Sequence, residues 1–131
     1  PPRSTLFPYT TLFRSLIVDH ETELVWQDDA KAKIIQKKWK NAIKYCKDLK
    51  LSGYSDWRLP TKIEFLSIVD FERYNPAIKK KFKNVNSKIY WTNSEYMGNA
   101  NHAWFVELFY GHEYYYYKTS TYFVRCVRGG M

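Results

Sequence analysis

Cysteine is almost absent from this chain, and its scarcity excludes a class of metal chemistry. Only Cys46 and Cys126 occur. Two thiols without a Cys-x-x-Cys pair do not build a four-ligand structural zinc site. Long apolar runs are missing too; none approaches the ~20 residues of a membrane helix. Glycine is limited to five residues, and no phosphate loop, Gly-x-Ser-x-Gly or His-Glu-x-x-His motif occurs. His20, His102 and His112 fall on expected turns without metal-like spacing. Late in the chain the only glutamates are Glu95, Glu107 and Glu113, and nothing pairs two of them across a cleft as a glycosidase requires. The expectation is a chain with no catalytic residue, no metal and no cofactor.

The first fifteen residues, PPRSTLFPYTTLFRS, match codon for codon one reading frame of a common short-read sequencing adapter. Residues 1–15 are therefore read as an artefactual, adapter-derived segment and set aside from fold reasoning. The remainder, 16–131, suits one domain, truncated at its N-terminal side by the junction. Removing Arg3 and Arg14 from the formal charge of +8 leaves +6. That is basic, but short of the margin expected of a dedicated nucleic-acid binder, and no nucleic-acid partner is expected. All five tryptophans lie in this remainder.

Periodicity outlines the elements. Leu16–Asp19 and Glu23–Gln27 read as strands around a turn. Trp39, Ala42, Ile43, Cys46 and Leu49 share one face of an amphipathic helix. Thr61-Lys62-Ile63-Glu64 is a capping box opening a second helix, expected to end by Asp70. Phe71–Ser87 is irregular, with Asn75-Pro76 as a turn signal. The period then drops to two, and Ile89–Thr92, Ala103–Tyr110, Glu113–Lys118 and Tyr122–Arg128 read as strands. Gly111-His112 is expected to form a tight turn, and Asn93–His102 a polar loop. Strand pair, two helices and then antiparallel strands make an α+β fold. The two cysteines are either buried free thiols or one disulfide. A disulfide closing so long a loop contributes about 4–5 kcal/mol in the chain-entropy picture and implies an oxidising compartment.

Six motifs recur in order: Leu24-Val25-Trp26-Gln27-Asp28, Trp39-x-x-Ala42-x-x-Tyr45-Cys46, Gly53-Tyr54-Ser55-Asp56-Trp57-Arg58-Leu59-Pro60, Asn75-Pro76-Ala77-Ile78, Tyr90-Trp91-Thr92 and Val124-Arg125-Cys126-Val127-Arg128. With them the chain resembles the C-terminal domain family of the Legionella collagen-like adhesin (Lcl). The resemblance implies a C-type-lectin-like fold, two helices packed on antiparallel sheets. It implies a disulfide joining Cys46 on the first helix to Cys126 on the last strand. It also implies a bacterial cell-surface, secreted or periplasmic location, adhesion, and a sulfated glycan as ligand. A further short strand, usual in the family ahead of the Asp19 turn, is expected to be lost at the junction.

Two surfaces are candidates. One is basic: Lys37, Lys40 and Lys44 around the first helix, with Lys79, Lys80, Lys81 and Lys83 after Pro76. Lysine point charges suit diffuse attraction to a polyanion rather than bidentate recognition. The other is an aromatic rim of Tyr96, Asn99, Asn101, His112, Tyr114 and Tyr116. Tyr114–Tyr117 alternate across a strand, one pair toward the core and one outward, and such rims suit a protein or neutral-glycan receptor. Asp56, Trp57 and Arg58 are read as structural: Trp57 in the core, Arg58 bridging the loop with Asp56. A calcium site is not expected, since no EPN- or QPD-like tripeptide occurs and the Asn93–His102 loop holds one acid, Glu95. An enzyme of the related formylglycine-generating type would need a reactive thiol pair.

The adapter reading has a direct check. Resequencing the locus is expected to give upstream codons that differ from Pro1–Ser15; a genomic read running through these codons overturns it.

Overall fold

The computed structural model describes Ser15–Gly130; Pro1–Arg14, the bulk of the adapter-like segment, lies outside the described residues. Strands β1 (Leu16–Asp19) and β2 (Leu24–Gln27) pair antiparallel, from Leu16 opposite Gln27 to Asp19 opposite Leu24. Their turn closes on Asp19, whose carbonyl accepts from the Glu23 amide at 2.7 Å. β2 also pairs with the last strand, β8 (Val127–Gly129), giving a three-stranded sheet ordered β1-β2-β8.

A short helix, α1 (Lys31–Ile34), and a two-residue strand, β3 (Gln36–Lys37), precede the main helix α2 (Trp39–Asp48). Neither short element announces itself in periodicity, because both are too brief to show one. They are held from the sheet instead. Tyr90 donates its hydroxyl to the Ala32 carbonyl at 2.6 Å, and Trp91 donates its indole N–H to the Lys37 carbonyl at 3.0 Å. Trp39 in turn donates to the Thr92 carbonyl at 2.8 Å. α2 presents the expected face inward: Trp39, Ala42 and Cys46 are buried.

Helix α3 (Lys62–Leu66) opens on the expected capping box. The Thr61 hydroxyl accepts from the Glu64 amide at 3.2 Å, and the Glu64 carboxylate accepts from the Thr61 amide at 2.9 Å. It ends at Leu66, before the expected limit of Asp70. The Ser67 hydroxyl bonds back to the Glu64 carbonyl at 2.5 Å, and the chain continues in turns, where Val69 bridges to Ile78.

The larger sheet has five strands, ordered β3-β7-β4-β5-β6. These are β4 (Ile89–Glu95), β5 (His102–Glu107), β6 (His112–Tyr117) and β7 (Tyr122–Phe123). All pairings are antiparallel except β4 with β7. β4 runs to Glu95, past the expected Thr92. The β5–β6 turn occupies Leu108–Gly111, so His112 belongs to β6 rather than to the turn. Gly111 takes a φ of +87°, and a Cβ there would meet Val69 Cγ1 at 2.8 Å, which explains the residue type.

The expected single strand Tyr122–Arg128 is broken. Its first part is β7 in the five-stranded sheet and its last part is β8 in the three-stranded one. Between them Arg125 turns fully inward, with 0% exposure, and Cys126 reaches Cys46 in a disulfide. Arg125 donates to the carbonyls of Gln27 and Asn84 and to Asp28 Oδ1 at 3.1 Å. Asp28 also accepts the amides of Lys83 and Asn84 at 2.9 and 3.0 Å. The Gln27 side chain accepts the Cys126 amide at 2.9 Å. Two apolar clusters lie around this crossing. One centres on Trp26, Phe65, Tyr90 and Val106, the other on Trp39, Trp57, Trp91 and the disulfide.

Leaving one member of a buried, hydrogen-bonded ion pair alone costs about 3–5 kcal/mol. Arg125→Met is therefore expected to lower unfolding free energy by roughly that amount in urea titration. A loss of no more than about 1 kcal/mol, the scale of a surface pair, would contradict this account of the crossing.

Candidate functional site

Asp56, Trp57 and Arg58 of the Gly53–Pro60 loop are held by contacts within the chain, and Arg58 has partners other than the expected Asp56. Trp57 is 3% exposed and donates to the Tyr54 carbonyl at 3.2 Å. Arg58 does not bridge to Asp56. Its backbone exchanges two hydrogen bonds with Val127, each 2.8 Å. That pairing sets the side chain over the start of α3, where it forks onto Glu64 at 2.7 and 2.8 Å and reaches the Gly129 carbonyl at 2.8 Å. Asp56 instead takes the fork of Arg128, at 2.6 and 2.9 Å, and the same guanidinium lies 3.7 Å from the centre of the Tyr54 ring. The Arg128 hydrogen bond holds the Asp56 carboxyl below its ordinary range.

The lysines separate into three places. On one side of α2 lies an open groove lined by Lys31, Lys37, Asn41, Lys44, Asp48 and Lys50, among others. Its acid, Asp48, is bound to Lys44 at 2.7 Å. On the other side lies a groove of about 790 Å³, with Lys38, Lys40, Asn41, Glu95, Asn101 and Lys118 in its lining. Its acid, Glu95, is bound to Lys118 at 2.6 Å, and Lys118 also sits 4.4 Å from the Trp39 ring centre. Asn41 belongs to both grooves, so α2 is a ridge between them. Lys31, Lys37, Lys38, Lys40 and Lys50 make no ion pair among the described residues.

Lys79, Lys80 and Lys81 line a different groove, and it is balanced. Asp19, Glu21, Asp70 and Glu72 stand there against the three lysines and Arg73. Lys79 lies 3.5 Å from Glu21 and 4.0 Å from Asp19, and Lys81 donates to the Val18 carbonyl at 3.4 Å. Burial opposes ionisation of Asp19. The Glu21 amide, the Thr22 hydroxyl and the two lysine charges outweigh it, and its pKa falls below the ordinary value. Lys83 has an exposed side chain and meets Asp28 through its backbone amide. The two lysine runs thus do not share a groove, and only the α2 run carries excess positive charge. Across a groove, pairing such as Lys79 with Glu21 is invisible to a reading of charge runs.

β6 divides the tyrosine rim. Tyr115 stacks on Tyr96, ring centres 3.7 Å apart and planes 6° off parallel. Trp104 meets both edge-on, and His102 packs against Tyr96, Tyr115 and Tyr117. The Tyr115 hydroxyl is pushed up to about 12, first by its hydrogen bond with Tyr96 and then by that with Tyr114. Lys62 covers Trp104 at 3.7 Å and pairs with Glu113 at 3.0 Å. Tyr114 and Tyr116 stand opposite Phe105 and Ala103 on the other face. Neither tyrosine pair is core: Tyr114, Tyr116 and Tyr117 are 57%, 48% and 50% exposed. His112 lies near Tyr110 at 5.9 Å, away from Tyr96. Asn99 folds the tip of the loop by accepting the Asn101 amide at 2.9 Å. Among the described residues no three His, Cys, Asp or Glu side chains gather as a metal would need, and no helix is long and apolar enough to cross a membrane.

The family model of the Lcl C-terminal domain matches residues 15–128. The chain belongs to that family. No curated protein matches it. In this Lcl C-terminal domain the match begins at the residue whose carbonyl accepts the Asp28 amide at 2.8 Å, and it ends at Arg128, the partner of Asp56. Family membership and a disulfide fit a surface or secreted domain that folds where thiols oxidise.

The Arg58–Glu64 pair, part-buried, is the polar clamp between loop and helix. Burial raises the Glu64 pKa, but hydrogen bonds from Arg58 and Thr61 outweigh it and leave it lowered. A lowered carboxyl contributes stability above its unfolded-state pKa, and this is lost as pH falls through the folded value. Glu64→Gln keeps a capping side chain and removes the charge. Its stability deficit, followed by thermal unfolding, is expected to be present at neutral pH and to vanish under acid conditions. A deficit independent of pH would refute the assignment.

Proposed function

We propose that this Lcl C-terminal domain is a non-enzymatic binding module of a bacterial surface or secreted protein, and that it holds an anionic, sulfated glycan across the α2 ridge. One observation carries the reading. The two grooves that share Asn41 are lined by Lys31, Lys37, Lys44 and Lys50 on one side and by Lys38, Lys40 and Lys118 on the other. Against them stand Asp48 and Glu95, each already bound to a lysine. Five ammonium groups are left for a ligand. The side-chain amides of Asn41 and Asn101 carry no hydrogen bond among the described residues and can donate to sugar hydroxyls or sulfate oxygens. Lysine binds such groups as a point charge, so the interaction gains range and association rate more than register.

The disulfide supports a glycan over nucleic acid, because it fits an oxidising compartment. It also commits both thiols, which speaks against oxidation chemistry of the formylglycine-generating kind. A lectin-like role through the aromatic face is the second reading, a protein or neutral glycan packing on Tyr96, Tyr115 and Trp104. The flat, rigid Tyr96–Tyr115 stack favours it, since such rings offer contact area at little conformational cost.

Salt separates the two, since exposed ion pairs are screened over about 8 Å at physiological ionic strength. On immobilised heparin the chain is expected to stay bound beyond physiological salt. Changing Lys37, Lys38 and Lys40 together to Gln is expected to lower the eluting salt markedly. The same change at Lys79, Lys80 and Lys81 is expected to move it little, although it removes equal charge. Equal effects, or no retention of the unaltered chain, would retire the ridge as the site.

A further inference from the structure

Among the described ring contacts, that of Tyr96 with Tyr115 stands apart. Aromatic pairs ordinarily sit edge-to-face or offset, with centroids about 4.5–7 Å apart. These two lie 3.7 Å apart and 6° from parallel. The neighbouring pairs Tyr114–Tyr115 and Tyr116–Tyr117 are 4.5 and 5.3 Å apart, tilted by 33° and 66°.

The backbone builds this stack. Tyr96 directly follows β4 and Tyr115 lies within β6, so the pair spans β5. The Tyr96 amide donates to the His102 carbonyl at 3.1 Å, and its carbonyl accepts the Asn99 amide at 3.3 Å. Gly98 lies against the Tyr96 ring; a Cβ there would meet Cε2 at 2.5 Å. The missing side chain at Gly98 lets the ring lie flat on Tyr115. The two hydroxyls hydrogen-bond each other, so the rings overlie with their hydroxyl ends together. A carbon ortho to one hydroxyl is thereby set against the matching carbon of the other ring. Both residues are half-buried, which leaves part of each ring open to solvent. Trp104, edge-on to both, competes poorly as an electron donor. Lys62 sits 3.7 Å from its ring centre, and a cation there opposes the positive charge that oxidation leaves.

We propose that Tyr96 and Tyr115 are a modification site, joined across β5 by oxidative coupling with hydrogen peroxide through a peroxidase-type one-electron oxidant. Each phenol gives up one electron and its hydroxyl proton. The two phenoxyl radicals carry part of their unpaired density on the ortho carbons, and one C–C bond forms between the facing pair. The hydrogens those carbons held pass to the two oxygens and restore both phenols. The two electrons and two protons released reduce one hydrogen peroxide to two waters. The chain is lighter by two hydrogens, and its 96–101 loop is tied to β6 by a bond that thiols do not reduce. This link stands independently of the glycan reading.

Treating the dilute chain with a haem peroxidase and hydrogen peroxide, then weighing the isolated monomer by mass spectrometry, tests it. The monomer is expected to lose two hydrogens and to gain the blue fluorescence of a linked phenol pair. Cleavage after glutamate, with the disulfide reduced, is expected to leave peptide 96–107 joined to the one that begins at Tyr114. Tyr96→Phe and Tyr115→Phe are each expected to abolish that joined product. Gly98→Ala keeps every tyrosine but pushes the Tyr96 ring off its partner. It is expected to lower the yield several-fold with unchanged circular dichroism. A monomer without the link, a link between other tyrosines, or an undiminished yield in Gly98→Ala would overturn the proposal.

Discussion

The guanidinium of Arg125 is buried where the chain leaves one sheet for the other, and the surrounding structure is arranged to satisfy it. Removing such a charge from water costs several kcal/mol, and among the described residues both terminal nitrogens find acceptors while Nε finds none. Here the Asp28 carboxylate supplies the counter-charge, and the carbonyls of Gln27 and Asn84 supply further acceptors. Those partners come from the end of β2 and from the irregular segment before β4. One buried cation thus fixes the relative position of three stretches that are remote in sequence. Because Cys126 follows directly, the same crossing also fixes where α2 is tied down.

That tie matters for the surface. α2 has ten residues and no side-chain cap at Lys38, and an isolated helix so short is marginal in water. The disulfide, the Trp39 hydrogen bond to Thr92 and the cluster around Trp57 and Trp91 hold it against the sheet. The lysines of the ridge are flexible, but their backbone positions are not. A rigid array of charges loses less conformational freedom on meeting a polyanion than a charged loop does.

Local rules were the legible part. The α2 face, the capping box at Thr61, the core position of Trp57 and the α+β order all follow from spacing within a few residues. What could not be read was the choice of partner across long separations. Arg58 has a carboxylate two residues away, yet binds Glu64, because backbone pairing with Val127 aims it there. Tyr122–Arg128 has strand character throughout, yet splits, because a buried arginine diverts the chain between sheets. For the tyrosines, alternation shows that they divide. It does not show that the sheet ends at β6 and leaves both faces open. The lysine runs looked equivalent by composition; only the acids of other segments, brought in by the fold, distinguish them.

Asn41 borders both grooves, so the charged region is convex rather than a cleft. A concave site encloses its ligand and selects for ends and size. A ridge has no walls, and a polymer can lie over it from the middle of its length without threading a free terminus. Contacts made this way scale with charge density along the polymer rather than with the identity of any one sugar. Under the proposed function, strong attachment would come from many such ridges engaging one polymer at once, the regime of avidity rather than of single-site affinity.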